Sequence, residues 1–250
     1  IICQTNNQEN IEIEKINSLL NVQVDGILMS ISNANLEDNM GFNKLIRSKR
    51  TPLIFFDRKK DLKGVSSVTI DDFKGGYDAT KHLIDQGCKR IAHLSNDRQF
   101  EIFNNRFLGY KQALLDNGIE FDESLVIETM SKVVEGRKSA RALLDMDRPP
   151  DAIFSSSDFA ALGALQEIKE SGLEIPEDIC IVGFSNEPFT KFMELTTISS
   201  VDQFPMEMGK VAAQVFLEEV SNTQDTKISK NIVLTPELIV RKSSLKHKEG

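Results

Sequence analysis

The side chains best suited to hold a small polar molecule stand where short apolar runs end. Arg106 lies early in a helical stretch that follows the run Arg90 to Leu94, which places it near that run's carboxyl end. Its guanidinium is a fixed fork of donors that suits vicinal hydroxyls or a carboxylate, and an arginine on a helix surface is the plain alternative. Ser155-Ser156-Ser157-Asp158 separates the run ending at Phe154 from the next helical stretch. Ser and Asp at such a place cap a helix, and the same place turns hydroxyls and a carboxylate beyond the strand. Ser185, Asn186 and Glu187 follow another run, and Gln203 follows a third, its amide able to donate and accept. Asp57 and Asp72 also follow apolar runs; Asp72 reads first as the cap of a helix starting near Phe73, while Asp57 fits a turn and a ligand contact equally.

Nothing in this set asks for catalysis. Gly183-Phe184-Ser185-Asn186-Glu187 lacks the second glycine of a nucleophile elbow, and no P-loop, G-x-G-x-x-G or H-E-x-x-H occurs. His82 and His93 lie in packing elements, and His247 lies in a charged tail. Cys3, Cys88 and Cys180 follow no metal-ligand spacing and read as buried thiols of a reducing compartment. The reading therefore assigns no catalytic residue, no metal site and no cofactor.

The elements that position these residues alternate. Strands are predicted at Val24 to Met29, Pro52 to Phe56, Ser67 to Ile70, Arg90 to Leu94, Asp151 to Phe154, Ile179 to Gly183 and Ile198 to Val201. Helices are predicted at Glu9 to Leu20, Asp38 to Arg47, Phe73 to Gln86, Ile102 to Asn117, Val133 to Leu144, Phe159 to Ser171 and Met206 to Val220. Such alternation makes βαβ units, and there are too many for one sheet. The fold class is α/β, with two doubly wound parallel-sheet subdomains. In such sheets ligands sit beyond the carboxyl ends of the strands.

With 250 residues, 40% hydrophobic, the chain can bury a sizeable core. Its net charge of -8 and the absence of a clustered basic face predict poor DNA binding by this segment alone. The nearest basic groups are Arg58-Lys59-Lys60 and the tail from Arg241 to Lys248. No apolar stretch approaches the ~20 residues of a membrane span. Ile1-Ile2-Cys3 reads as part of a strand, and the chain as a fragment.

Several segments are similar to the LacI/GalR family of transcription regulators. They are Val24-Asp25-Gly26-Ile27-Leu28-Met29, Pro52 to Arg58, Val68 to Ser95, Arg106-Phe107-Leu108-Gly109-Tyr110, Ser157 to Ala164, Ile175 to Phe184, and Pro236-Glu237-Leu238-Ile239-Val240-Arg241. Each is loose alone; their order over more than two hundred residues carries the resemblance. It implies a periplasmic-binding-protein-like core of two subdomains with a ligand cleft between them, at 1–71 plus 203–225 and 72–202 plus 226–250. It further implies a sugar-like small-molecule effector, a homodimer, a cytoplasmic location, and operator DNA bound through a headpiece outside this chain. The family's first core strand and helix have no counterpart here.

On that resemblance Arg106, Phe154, Ser157, Asp158 and Gln203 match ligand-contacting positions, although a Phe ending a strand is more often core. Many members carry an Asp where this chain has Ser185. Losing a carboxylate removes a charge-assisted acceptor. Either Asn186 takes its place, or the ligand carries an acidic group. The competing function is an extracytoplasmic sugar-binding protein of a transporter; the closing Pro236-to-Arg241 motif and the Arg106-to-Tyr110 segment favour the regulator.

Overall fold

Two α/β units emerge from the alternating pattern, one formed by residues 1–70 and 204–234, the other by 71–203 and 235–250. The computed structural model describes residues 1–32, 42, 43, 45, 51–194, 196–221 and 229–246.

The first unit carries a parallel sheet in the order β1-β2-β3-β9, with β1 at Ile27–Met29, β2 at Leu53–Phe56, β3 at Ser66–Ile70 and β9 at Asn231–Leu234. Helix α1, Glu9–Asn21, places Ile16 in a core with Ile27, Met29, Leu53 and Phe55. Phe42 and Leu45 join that core, while most of the helix expected at Asp38 to Arg47 lies outside the described residues. Helix α6, Pro205–Ser221, packs along β2 and β3. Two expectations need correction here. Residues 231–234 pair with Ser67–Ile70, so they belong to this unit and not to the one expected to hold 226–250. Ile1-Ile2-Cys3 joins no strand ladder among the described residues, and Ile1 and Ile2 are exposed. Apolar composition alone does not make a strand without a neighbour to complete its hydrogen bonds.

In the second unit the sheet order is β10-β8-β7-β6-β4-β5. Its members are β4 Ile91–Ser95, β5 Val126–Glu128, β6 Ala152–Ser155, β7 Cys180–Phe184, β8 Ser199–Asp202 and β10 Glu237–Ile239. All neighbours are parallel except β10, which runs antiparallel along β8. One face meets helices α2, Asp72–Asp85, and α3, Glu101–Asp116, with His93, Tyr110 and Phe154 stacked on one another. The other meets α4, Val133–Leu144, and α5, Asp158–Glu170, over Ala92, Leu94, Ile153 and Ile181. This sheet is doubly wound. After β4 the chain turns to β5 on one side, then returns to β6 on the other. That reversal makes the carboxyl ends of β4 and β6 the topological switch point, where such sheets hold ligands.

Cys88 and Cys180 are buried free thiols, as the sequence suggested, whereas Cys3 is only half-buried. The described start of the charged tail is anchored: Ser243 and Ser244, in a short 3-10 turn at Lys242–Ser244, are fully buried.

Candidate ligand-binding site

Left-handed backbone gathers at the strand ends. Asp57, Ser131, Ser185, Asn186 and Phe204 all have positive φ and all lie in turns just beyond a strand's carboxyl end. Such residues cost on the order of 1–3 kcal/mol each and persist only where their surroundings fix them. At Asn and Asp the cost is lower, because their short polar side chains tolerate this region.

At the switch point the dominant group is Arg106, which is neither a surface arginine nor a free one. Its Nε donates to Asp72 Oδ1 at 2.7 Å and its Nη1 to the Ser156 carbonyl at 2.9 Å. The guanidinium lies 3.6 Å over the Phe184 ring. Both charged side chains are only 4% exposed. Asp72 therefore balances a buried charge; the helix cap expected of it is made by Asp71, which accepts the Lys74 N–H at 2.8 Å. Neighbouring Ser156 keeps a buried hydroxyl with no partner among the described residues. Arg106 and Asp72 thus form a neutral, preset pair at the switch point.

On the α5 face, Ser157 caps the helix and Asp158 follows it. Asp158 Oδ2 accepts the Glu187 N–H at 2.8 Å and Oδ1 accepts the Ser200 hydroxyl at 2.7 Å. Gly183 makes room: a Cβ there would stand 2.1 Å from Asp158 Oδ1. Burial is the largest influence on this carboxyl and lifts it from 3.8 to about 7, against the two hydrogen bonds that favour the ionised form. In the unfolded chain the group ionises near its ordinary value. The contribution is therefore complete below pH 3.8 and is lost as pH rises toward 7. His93 has the opposite slope, since burial lowers it from 6.5 to about 3 and its loss comes as pH falls. The stability of Asp158→Asn minus that of the wild-type chain should rise by about 1.4 kcal/mol per pH unit from pH 4 to 7, then level. Urea unfolding at four pH values measures this; parallel curves for the two proteins would refute it.

Around β7 and β8 the remaining candidates are partly committed. The Ser185 N–H donates to the Val201 carbonyl, and the Asn186 N–H to Ser200 Oγ, both at 2.9 Å. Asn186 Nδ2 donates to Asp202 Oδ2 at 2.7 Å, and Asn186 Oδ1 accepts from Arg241 Nη2 at 2.6 Å. Gln203 is half-buried and its buried Oε1 has no partner among the described residues. Phe154 is fully buried, its carbonyl bonded by His93 Nδ1 at 3.0 Å and its ring stacked on that imidazole, so it is core and not a ligand platform.

The first unit carries its own polar edge. Asp57 Oδ2 accepts the Ser30 hydroxyl at 3.1 Å, and Arg58 reaches Ser30 Oγ at 3.1 Å and Asn7 Oδ1 at 2.8 Å. Sequence reasoning singled out Asp57 and missed Ser30 and Asn7; the aspartate–arginine pair after β2 was the available signal.

Catalytic geometry is not evident among the described residues. His82 Nε2 lies 2.8 Å from Ser244 Oγ, but Ser244 is fully buried and its hydroxyl donates to Ser199 Oγ at 2.7 Å. Among the described residues no cluster of His, Cys, Asp and Glu could hold a metal ion, and no helix is long and apolar enough to cross a membrane.

Residues 80–244 match the model of a periplasmic binding protein-like domain. The chain is 34% identical over 244 residues to the HTH-type transcriptional regulator DegA of Bacillus subtilis, covering 98% of this chain and 71% of that protein. Its fold is similar to the crystal structure of transcription regulator CcpA of Lactococcus lactis, with TM-score 0.85, 29% identity, and 98% and 87% of the two chains covered. It is also similar to a complex of transcriptional regulator CelR with cellobiose, with TM-score 0.80, 31% identity, and 93% and 70% covered.

Proposed function

Because this chain belongs to the LacI family of transcriptional regulators and carries their periplasmic-binding-protein-like effector domain, we propose that it senses an uncharged, sugar-like molecule at the carboxyl edge of its six-stranded sheet. The observation that carries this reading is the switch point itself, where Arg106 is already neutralised by Asp72 and Ser156 keeps an unpaired buried hydroxyl. Arg106 therefore has no free charge to offer a ligand with an acidic group. A polyol would find hydroxyl and amide partners, including Gln203 Oε1. Ser157, Ser185 and Asn186 line the same strand ends, and Asp57 serves the edge of the other sheet. The relative bound to cellobiose supports this class of ligand. We take the protein to act in the cytoplasm as a homodimer without chemistry of its own. Operator DNA would be bound by a helix-turn-helix segment such as the name of DegA denotes, since a net charge of -8 suits this chain poorly to phosphates.

Thermal melting with cellobiose, ribose and glucose 6-phosphate tests the reading. A neutral sugar at about 100 times its Kd should stabilise the chain by about 2.7 kcal/mol. Gln203→Leu should remove that shift, and light scattering should give twice the chain mass. A shift with the phosphorylated sugar alone, or one that survives Gln203→Leu, would sink the assignment.

A further inference from the structure

The closing segment of the chain reaches into the candidate site through one side chain. Arg241 follows β10, and its main chain is locked to β8: its N–H donates to Ser199 Oγ at 2.7 Å and its carbonyl accepts that hydroxyl at 3.0 Å. Two residues on, Ser243 Oγ donates to the Ile181 carbonyl of β7 at 2.6 Å and accepts the Ser199 N–H at 2.8 Å. From this anchored base the Arg241 guanidinium spreads over three acceptors. Nη1 donates to the Ile198 carbonyl at 2.7 Å and to Thr190 Oγ1 at 3.2 Å, and Nη2 donates to Asn186 Oδ1 at 2.6 Å.

Those acceptors bracket the turn after β7, where Ser185 and Asn186 hold φ values of 111° and 53°. Two consecutive left-handed residues without glycine do not stay in place unaided. Further braces come from Asp202 on Asn186 Nδ2, Asp158 on the Glu187 N–H, and the Val201 carbonyl and Ser200 hydroxyl on the Ser185 and Asn186 N–H groups. We propose that Arg241 is a positioning residue for ligand binding, fixing the Ser185–Glu187 turn from the C-terminal segment; this rests on the reading of that edge as the effector site. A lysine carries the charge but not the fork, so its single nitrogen cannot serve both the Ile198–Thr190 acceptors of Nη1 and the Asn186 acceptor of Nη2.

Amide hydrogen exchange of Arg241→Met in the full chain decides it. The Asn186 and Glu187 amides, bonded to Ser200 and Asp158, should exchange about tenfold faster while amides inside β7 keep their wild-type rates. Arg241→Lys should fall between. Unchanged exchange at Asn186 and Glu187, or acceleration spread equally through β7, would overturn the proposal by making Arg241 a general staple. Should Arg241→Met fail to fold, Asn186→Ala removes that link, and the one to Asp202, from the turn's side; the amides at 186 and 187 should then both accelerate, and wild-type rates there would count against the proposal. Cellobiose melting shifts of the folded variants complete the test, with Arg241→Lys expected to need several-fold more sugar for the wild-type shift. A wild-type chain that ignores both cellobiose and ribose would remove the sugar reading and leave the exchange pattern to judge the turn.

Discussion

Asp72→Ala is expected to cost about 3–5 kcal/mol, because it leaves the Arg106 guanidinium buried without its counter-charge. With Arg106 only 4% exposed, water cannot replace the lost carboxylate unless the α2–α3 seam opens. The Ser156 carbonyl and the Phe184 ring remain as partners, but neither carries a formal charge. For a domain of this size the loss corresponds to a fall of about 10 °C in Tm. Asp72→Leu combined with Arg106→Met should recover much of the loss, since a buried ion pair can often be exchanged for apolar groups at little cost. Urea unfolding of both single variants and the double variant measures the coupling. A loss under about 1 kcal/mol for Asp72→Ala would show that the pair is not sealed from solvent. The result also bears on function: a variant at Arg106 that no longer responds to sugar has lost a buried scaffold as well as any ligand contact, so Gln203 is the cleaner probe.

The long, strongly patterned elements were legible in the sequence. The helix at Val133–Leu144 matches its predicted limits, and the central strands shift by a residue or so. Failures came where tertiary pairing decides. Val126–Glu128 and Asn231–Leu234 are short strands on sheet flanks, half-buried or exposed, and their apolar runs, Val126-Ile127 and Ile232-Val233-Leu234, are too short to announce them. Missing the second moved a unit boundary, since only its ladder with β3 assigns residues 231–234. At Asp71-Asp72 two carboxylates compete for one cap, and residue type cannot rank them; the arginine that claims Asp72 stands 34 positions away.

The same limit governs the candidate site. That polar residues follow the strands could be read from the chain, and six of the expected positions, Arg106, Ser157, Asp158, Ser185, Asn186 and Gln203, do lie near those ends in the second unit. What they bond to could not be read. Asn186 and Arg241 are 55 positions apart, and Ser200 and Asp158 are 42 apart. Spacing along the chain says nothing about such pairs until β8 and the terminal segment are placed beside β7. Arg241 was visible only as the end of a motif, and Ser156 only as one serine in a run of three.

Gly163→Ala should be as damaging as any apolar truncation, although alanine is the better helix former. In α5 a Cβ at Gly163 would stand 2.0 Å from the Val133 carbonyl oxygen and 2.8 Å from the Arg137 nitrogen, both backbone atoms of α4. The contact is reciprocal, for a Cβ at Gly136 of α4 would lie 2.1 Å from the Ala160 carbonyl. No rotamer change relieves a clash with main chain, so the two helices must separate and loosen the layer of Ala140, Leu143, Ala161 and Ala164 beneath them. The cost of such overpacking, about 3 kcal/mol, exceeds the roughly 1 kcal/mol that Gly→Ala contributes inside a helix. Gly209 supplies the opposite case: it lies inside α6, and a Cβ added there would meet nothing within 4 Å, so Gly209→Ala should stabilise the chain by about 0.5–1 kcal/mol. Denaturation of the two variants side by side tests the argument. Equal shifts of the same sign would mean that helix propensity, not the backbone contact, sets the response. A fall for Gly163 and a rise for Gly209 would instead locate the constraint in the α4–α5 seam, whose displacement moves the α5 N-terminus that carries Ser157 and Asp158.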